Sequence, residues 1–182
     1  MGLRNRNSFR EKKCFFVTTS CYKHIKVLED DFCKLIVANS LNFVAVKYKI
    51  SILGYVIMPN HLHALFYFNE ENKLSETMRD LKKFCAFEVR KYLEATGNFL
   101  INYIRVEHGK QVFKVWNDRF DDVWIGNREL LEIKLEYIHQ NPLQSHWSLS
   151  EYPEDYNYSS TAFYLGIKND FIKLTDYRDI FD

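Results

Sequence analysis

The chain reads in the order strand, helix, strand, strand, helix, a further strand or two, and a third helix. This order predicts an α+β fold, an antiparallel or mixed sheet covered by helices, whose simplest form is a ferredoxin-like or RRM-like sandwich: a central antiparallel sheet with helices packed on it. Two further observations carry that reading. Aromatic and β-branched runs of strand length alternate with stretches of helical period, and turn residues fall between them. At 182 residues, 47% of them hydrophobic and 16% aromatic, the chain suffices for one domain with a proper core and not for two of ordinary size.

Residues 1–13 set Arg4, Arg6, Arg10, Lys12 and Lys13 against Glu11 alone and read as a loose basic arm before a single domain over 14–182. "CFFVTTS" (14–20) is a first strand. "EDDFCKLIVANSLNF" (29–43) opens with three acids, favourable in a helix's first turn, and spaces Phe32, Leu35 and Ile36 at helical intervals. "KYKISILGYVIM" and "HLHALFYF" are two strands, and Pro59-Asn60 between them is turn chemistry, so they pair as a hairpin.

From Leu74 to Ala95, apolar Leu74, Met78, Leu81, Cys85 and Tyr92 mark a second helix, with a capping arrangement at Ser75. The helical period groups Arg79, Lys82, Lys83 and Arg90 on its outer face. "QVFKVW" and "FDDVWI" are short strands. Arg128 to Gln140 is a third helix, expected to stop at Asn141 because the residue before Pro142 is pushed from the helical region. The tail "EYPEDYNYSSTAFYLG" docks its aromatics on the body.

No window approaches the roughly 18 uninterrupted apolar residues of a membrane span, and the N-terminus lacks a signal peptide's apolar segment, so a cytoplasmic protein is expected. Cys14, Cys21, Cys33 and Cys85 form no CxxC pair and read as reduced core thiols. Net charge is only +1, yet Met1 to Lys114 carries 19 Lys and Arg against 11 Asp and Glu, and the remainder 6 against 13. One part of the chain can therefore meet a polyanion, unless these are simply solvated faces that segregate.

Within "GYVIMPNHLHALFYF" (54–68), His61 and His63 point to one face of a strand, about 7 Å apart, while Leu62 points into the core. Two neutral imidazoles can share one metal ion if a third ligand arrives from elsewhere; the plainer alternative is two polar residues on a solvated strand face. In "EYIHQNP" (136–142), Tyr137 and Asn141 are four apart on one helical face. An amide oxygen can complete a metal site. A phenol can attack phosphorus, given a cation to neutralise the target phosphate, although any one of 12 tyrosines is more often an amphipathic packing residue.

These motifs, with "LSETMRDLKKF", "RFDDVWI" and "PEDYNYSS", resemble in content and order the single-tyrosine HUH transposases, specifically the REP-associated tyrosine transposase branch, over about residues 14–165. The resemblance implies that His61 and His63 are the metal-binding histidines, Tyr137 the nucleophile and Asn141 the third ligand. It implies Mg²⁺ or Mn²⁺, with substrate phosphate oxygens completing a hard-ligand set. The implied activity is cleavage of single-stranded DNA beside a hairpin to leave a 5′-phosphotyrosine and a free 3′-hydroxyl, followed by rejoining. It leaves a homodimer open, since relatives occur as dimers and as monomers. The chain departs from the family with "PLQSHW" after Asn141, where a Val-x-Ala-Gly-like turn is usual. Asp121 and Asp122 stand near where relatives carry a histidine, to assist the metal or, more simply, to solvate a turn.

Arg4, Arg6 and Arg10 are expected to contact DNA flanking the hairpin, and Arg79, Lys82 and Lys83 to hold phosphates. Two rival functions keep parts of this pattern. A non-catalytic single-stranded nucleic-acid-binding module needs no convergence of His61, His63, Tyr137 and Asn141, and a metal-dependent phosphoesterase using water would make Tyr137 dispensable.

Overall fold

In a computed structural model, residues 12–108, 111–167 and 171–181 are described. Strand β1 is Cys14–Ser20, the range its composition predicts. Helix α1 is Asp31–Tyr48; of the acids at its start, Asp30 is the cap, its carboxylate accepting from the Phe32 and Cys33 N–H groups at 2.9 and 3.1 Å. Strands β2 (Ile50–Met58) and β3 (His61–Phe68) form the expected antiparallel hairpin across Pro59 and Asn60.

Helix α2 is Leu74–Thr96 and ends on Gly97, whose φ of 62° returns its N–H to the carbonyls of Leu93 and Glu94. Its start differs from expectation. Ser75 does not cap it; the Asn72 side chain, earlier in the chain, accepts from the Leu74 N–H at 2.9 Å. The region after α2 also departs from the sequence reading. Among the described residues, strands β4 (Arg105–His108) and β5 (Gln111–Phe113) pair only with each other, so "QVFKVW" gives three strand residues to a separate ribbon, whereas β6 (Asp121–Trp124) joins the main sheet. Helix α3 is Arg128–Gln140, capped by the Asn127 side chain on the Leu130 N–H.

The main sheet runs β2-β3-β1-β6 with every pairing antiparallel. That is the strand order of a ferredoxin-like βαββαβ unit. Alternation sorts its side chains cleanly. Phe15, Val17, Tyr55, Ile57, Leu62, Ala64 and Phe66 pack with residues of α1 and α2, including Val37, Leu41, Met78, Leu81 and Cys85, in one core. Phe16, Leu53, Val56, Met58 and Leu65 pack on the other face with Leu131, Leu135 and Ile138 of α3 and with Tyr156 of the tail. Both faces are thus covered, the second by α3 together with aromatic residues of the tail.

One glycine governs how closely α3 seats. A bulge shifts the β2 register between Ile52 and Gly54, and a Cβ on Gly54 would stand 2.6 Å from Leu135 Cδ1. The missing side chain lets the helix that carries Tyr137 lie directly on the sheet. All four cysteines are buried free thiols, as expected, and burial pushes the Cys14 thiol up to about 12. Among the described residues no helix is long and apolar enough to cross a membrane.

Candidate active site

Register builds the site. In the β1–β3 ladder Ser20 stands opposite His61 and Thr18 opposite His63, so both imidazoles project onto the face that α3 covers. Their ring centroids are 4.7 Å apart. The Tyr137 ring meets His63 edge-on at 5.2 Å, and Phe16 stacks on His63 at 5.3 Å. The solvated-face alternative fails on burial, because His63 is only 4% exposed and β3 is closed in on both sides. Tyr137 keeps 42% of its surface open. A buried imidazole and a half-buried one therefore sit beside a phenol that solvent can reach.

Each imidazole is held by Nδ1. The His61 Nδ1 lies 2.7 Å from Asn60 Oδ1, an acceptor, which places the proton on Nδ1 and leaves the Nε2 lone pair free. The His63 Nδ1 lies 2.7 Å from Thr18 Oγ1, a hydroxyl that can accept or donate; in the tautomer in which Nδ1 donates, the Nε2 lone pair is free. Nε2 of His63 is buried and has no hydrogen-bond partner among the described residues. An orphaned buried nitrogen costs about 1–3 kcal/mol and calls for an explanation.

Asn141 supplies the matching acceptor. The expectation that Pro142 would drive it out of helical geometry is not met: Asn141 keeps φ −58° and ψ −43°, and the chain tightens into a 3₁₀ turn over Asn141–Leu143. The pre-proline restriction is a bias, and here retained geometry keeps Asn141 on the face of Tyr137. Its buried side chain lies close enough to His61 to act on that ring as a hydrogen-bond acceptor, although its Oδ1 meets no donor with full hydrogen-bond geometry among the described residues. Two orphaned acceptors plus a fixed imidazole fit a divalent cation, and among the described residues no three His, Cys, Asp or Glu side chains are placed to hold one without the amide.

Burial dominates the electrostatics. It holds His61 down to about 4 against a weaker upward pull from Asn141, and holds His63 down to about 3 with help from the charges of His61 and Lys134. Both rings are neutral near pH 7, the state in which imidazole ligates a metal. Thr18→Val is expected to leave His63 unanchored and to weaken Mn²⁺ binding by about 10–100-fold, measurable by calorimetric titration.

The residues assigned to DNA separate into distinct groups. Arg4, Arg6 and Arg10 lie outside the described residues. Arg79 and Lys83 are exposed on α2, although Arg79 also pairs with Asp80 at 3.0 Å. Lys82 differs: its ammonium donates to the carbonyls of Asn117, Asp118 and Arg119, fastening the segment ahead of β6. Desolvation lowers its pKa, as expected of a half-buried tether. Lys82→Met is therefore expected to cost about 1 kcal/mol in urea unfolding, because three carbonyls, most of them solvent-accessible, lose a charged donor, with little change in the salt dependence of DNA binding. Arg90 also leaves the free basic face, lying over the Phe113 ring at 5.5 Å.

Asp121 and Asp122 begin an exposed strand and are not in a turn. Asp121 pairs with Thr18 and so shares a row with His63, but two strand spacings, about 10 Å, separate them. His139 turns from the site to Ser160 Oγ at 3.0 Å, whereas His24 and His146 are near enough for their charges to act on His61. Sequence reasoning missed Thr18 and Asn60, which only the strand register and the turn geometry reveal. It also missed Lys134, although spacing alone places that residue one turn before Tyr137 on the same face.

The model of a family described as "Transposase IS200 like" matches residues 11–141. A solved structure of a REP-associated tyrosine transposase bound to a REP hairpin superposes with a TM-score of 0.63 at 18% identity, over 92% of this chain and 88% of that one. A protein from Deinococcus radiodurans R1 assigned as a transposase gives a TM-score of 0.48 at 16% identity, over 71% of this chain and 90% of that one. No curated protein matches the chain. At 18% identity the REP-associated structure speaks to the fold alone, which agrees with the strand order above.

Proposed function

The chain belongs to the IS200-like transposase family, and from that membership we propose that it cuts and rejoins single-stranded DNA beside a hairpin through a 5′-phosphotyrosine on Tyr137. The observation that carries the proposal is the convergence of the Tyr137 ring, 5.2 Å from the His63 ring, on His61, His63 and Asn141, with His63 Nε2 and Asn141 Oδ1 both buried and neither in a hydrogen bond of full geometry among the described residues. His61, His63 and Asn141 are the residues that would hold a divalent cation, Mg²⁺ or Mn²⁺. Such an ion, when bound, neutralises charge on the scissile phosphate and on the departing oxygen.

The protein's own part is positioning. Asn60 and Thr18 orient the two imidazoles, Gly54 seats α3 against the sheet, and α3 presents the phenol at the mouth of the site. Tyr137 Oη forms a bond to phosphorus as the bond from phosphorus to the 3′ oxygen breaks. The phenol loses a proton and the released 3′ oxygen gains one, so no oxidant, reductant or nucleotide triphosphate is needed. A 3′-hydroxyl attacking the same phosphorus reverses the step and joins strands. In this reading residues 14–182 form the single catalytic domain, residues 1–13 lie along flanking DNA, and a hairpin like the one bound by the REP-associated relative is the natural substrate.

The test uses hairpin oligonucleotides labelled at either end, with Mn²⁺. A 5′-phosphotyrosine requires the 3′-labelled fragment to remain on the protein after denaturation and the 5′-labelled fragment to leave with a 3′-hydroxyl. Two free fragments would establish attack by water, and intact DNA that is nevertheless bound would establish a binding module. Arg79→Gln with Lys83→Gln is expected to reduce the slope of log K against log salt by about 0.7 for each phosphate no longer neutralised, read from binding titrations at several salt concentrations.

A further inference from the structure

Lys134 lies on α3 one turn before Tyr137, and its ammonium stands 5.1 Å from the centroid of the Phe16 ring and 6.0 Å from that of Tyr137. It has no salt-bridge partner among the described residues. Its charge is felt at His63, so it stands beside Tyr137 and the histidine pair. A cation needed only for solubility has no reason to fold over Phe16 toward Tyr137, although the aromatic faces give it some cation–π attraction. What this position lacks is an anion.

We infer that Lys134 is a catalytic residue of the transesterification, its ammonium binding a non-bridging oxygen of the phosphate that Tyr137 attacks and then of the phosphotyrosine itself. The inference rests on the function proposed above. Attack by Tyr137 Oη and departure of the 3′ oxygen pass through a phosphorus centre carrying more charge on its non-bridging oxygens than the starting diester. A cation on the nucleophile's own helix, one turn away, keeps its place relative to the phosphorus while the 3′ end leaves and a new 3′ end enters. It therefore serves cleavage and rejoining alike, because both cross the same transition state. The chemistry asks for a fixed positive charge and not for proton transfer, so arginine should substitute and glutamine should not.

The experiment compares wild type with Lys134→Gln, Lys134→Arg and Lys134→Met in single-turnover cleavage of a hairpin oligonucleotide with Mn²⁺, at saturating DNA. Hairpin affinity and Tm are measured alongside. Lys134→Gln and Lys134→Met are expected to slow adduct formation by about 10²–10³-fold, the scale of removing one donor from a charged transition state, while affinity changes by less than about threefold. Lys134→Arg is expected to stay within about tenfold of wild type. A chase of preformed adduct with a free 3′-hydroxyl strand should show rejoining slowed by a similar factor. Lys134→Met keeps the apolar stem over Phe16, so a loss of Tm confined to Lys134→Gln would not obscure the result. Cleavage by both neutral variants within threefold of wild type, or a loss that disappears at saturating DNA, would overturn the inference and leave Tyr137 as the nucleophile. Failure of wild type itself to form an adduct would instead overturn the proposed function, and this inference with it.

Discussion

Tyr137→Phe is expected to lower cleavage by about 10⁴-fold or more and to abolish the denaturant-resistant adduct, with hairpin binding and Mn²⁺ binding unchanged. The substitution removes one oxygen and nothing else. The Tyr137 ring packs edge-on against His63 and Phe16, an arrangement that phenylalanine keeps, and its hydroxyl makes no hydrogen bond among the described residues. Stability should accordingly move by less than about 0.5 kcal/mol in urea unfolding, since no buried partner is orphaned. A folded, DNA-binding and inactive protein separates the covalent mechanism from its rivals: attack by water would survive the change, and a binding module would show no activity to lose.

The second large effect concerns the deep side of the site. The pair His63→Leu with Thr18→Val is expected to abolish Mn²⁺-dependent cleavage by at least about 10³-fold while leaving the metal-free protein as stable as wild type or more so. His63 is buried with Nε2 unpaired, and an unmet buried polar atom costs about 1–3 kcal/mol. Replacing both members of the Thr18–His63 hydrogen bond by apolar groups of similar size removes that cost without leaving a new orphan. Thermal melts with chelator and with Mn²⁺ give the second half of the test. Wild type should gain stability from the ion by mass action, and the double variant should gain none. A variant that melts well below wild type in chelator would show that His63 is kept for packing.

Much of this arrangement is legible in the sequence, and the residues show why. Strand period puts His61 and His63 on one face, and helix period puts Tyr137 and Asn141 on one face, because both periods are local properties of the backbone. The ranges of β1 and β3 follow from composition alone. What joins the two faces is not local. How closely α3 lies on the sheet face opposite α1 and α2 depends on Gly54, which a sequence shows only as one glycine among six. Thr18 becomes a partner of His63 only once the register of β1 on β3 is known.

The misreadings have equally specific causes. Ser75 followed by a helical period looks like a cap, but Asn72, earlier in the chain, already accepts from the Leu74 N–H. The rule for the residue before proline is statistical, and at Asn141 helical geometry wins, keeping the amide on the face of Tyr137, although the helix itself ends at Gln140 as expected. Lys82 sits in phase with Arg79 and Lys83, and helical phase cannot reveal that a neighbouring segment supplies three carbonyls to it. The basic surface of α2 is therefore narrower than its sequence predicts.

The most direct test of the account is to map the adduct. Wild-type protein is incubated with a hairpin oligonucleotide and Mn²⁺, denatured, digested with trypsin and nuclease, and its peptides are sequenced by mass spectrometry. The account requires a residual 5′-nucleotide phosphate on Tyr137, absent in chelator. The same modification on any other tyrosine, or cleaved DNA with every tyrosine unmodified, would contradict it.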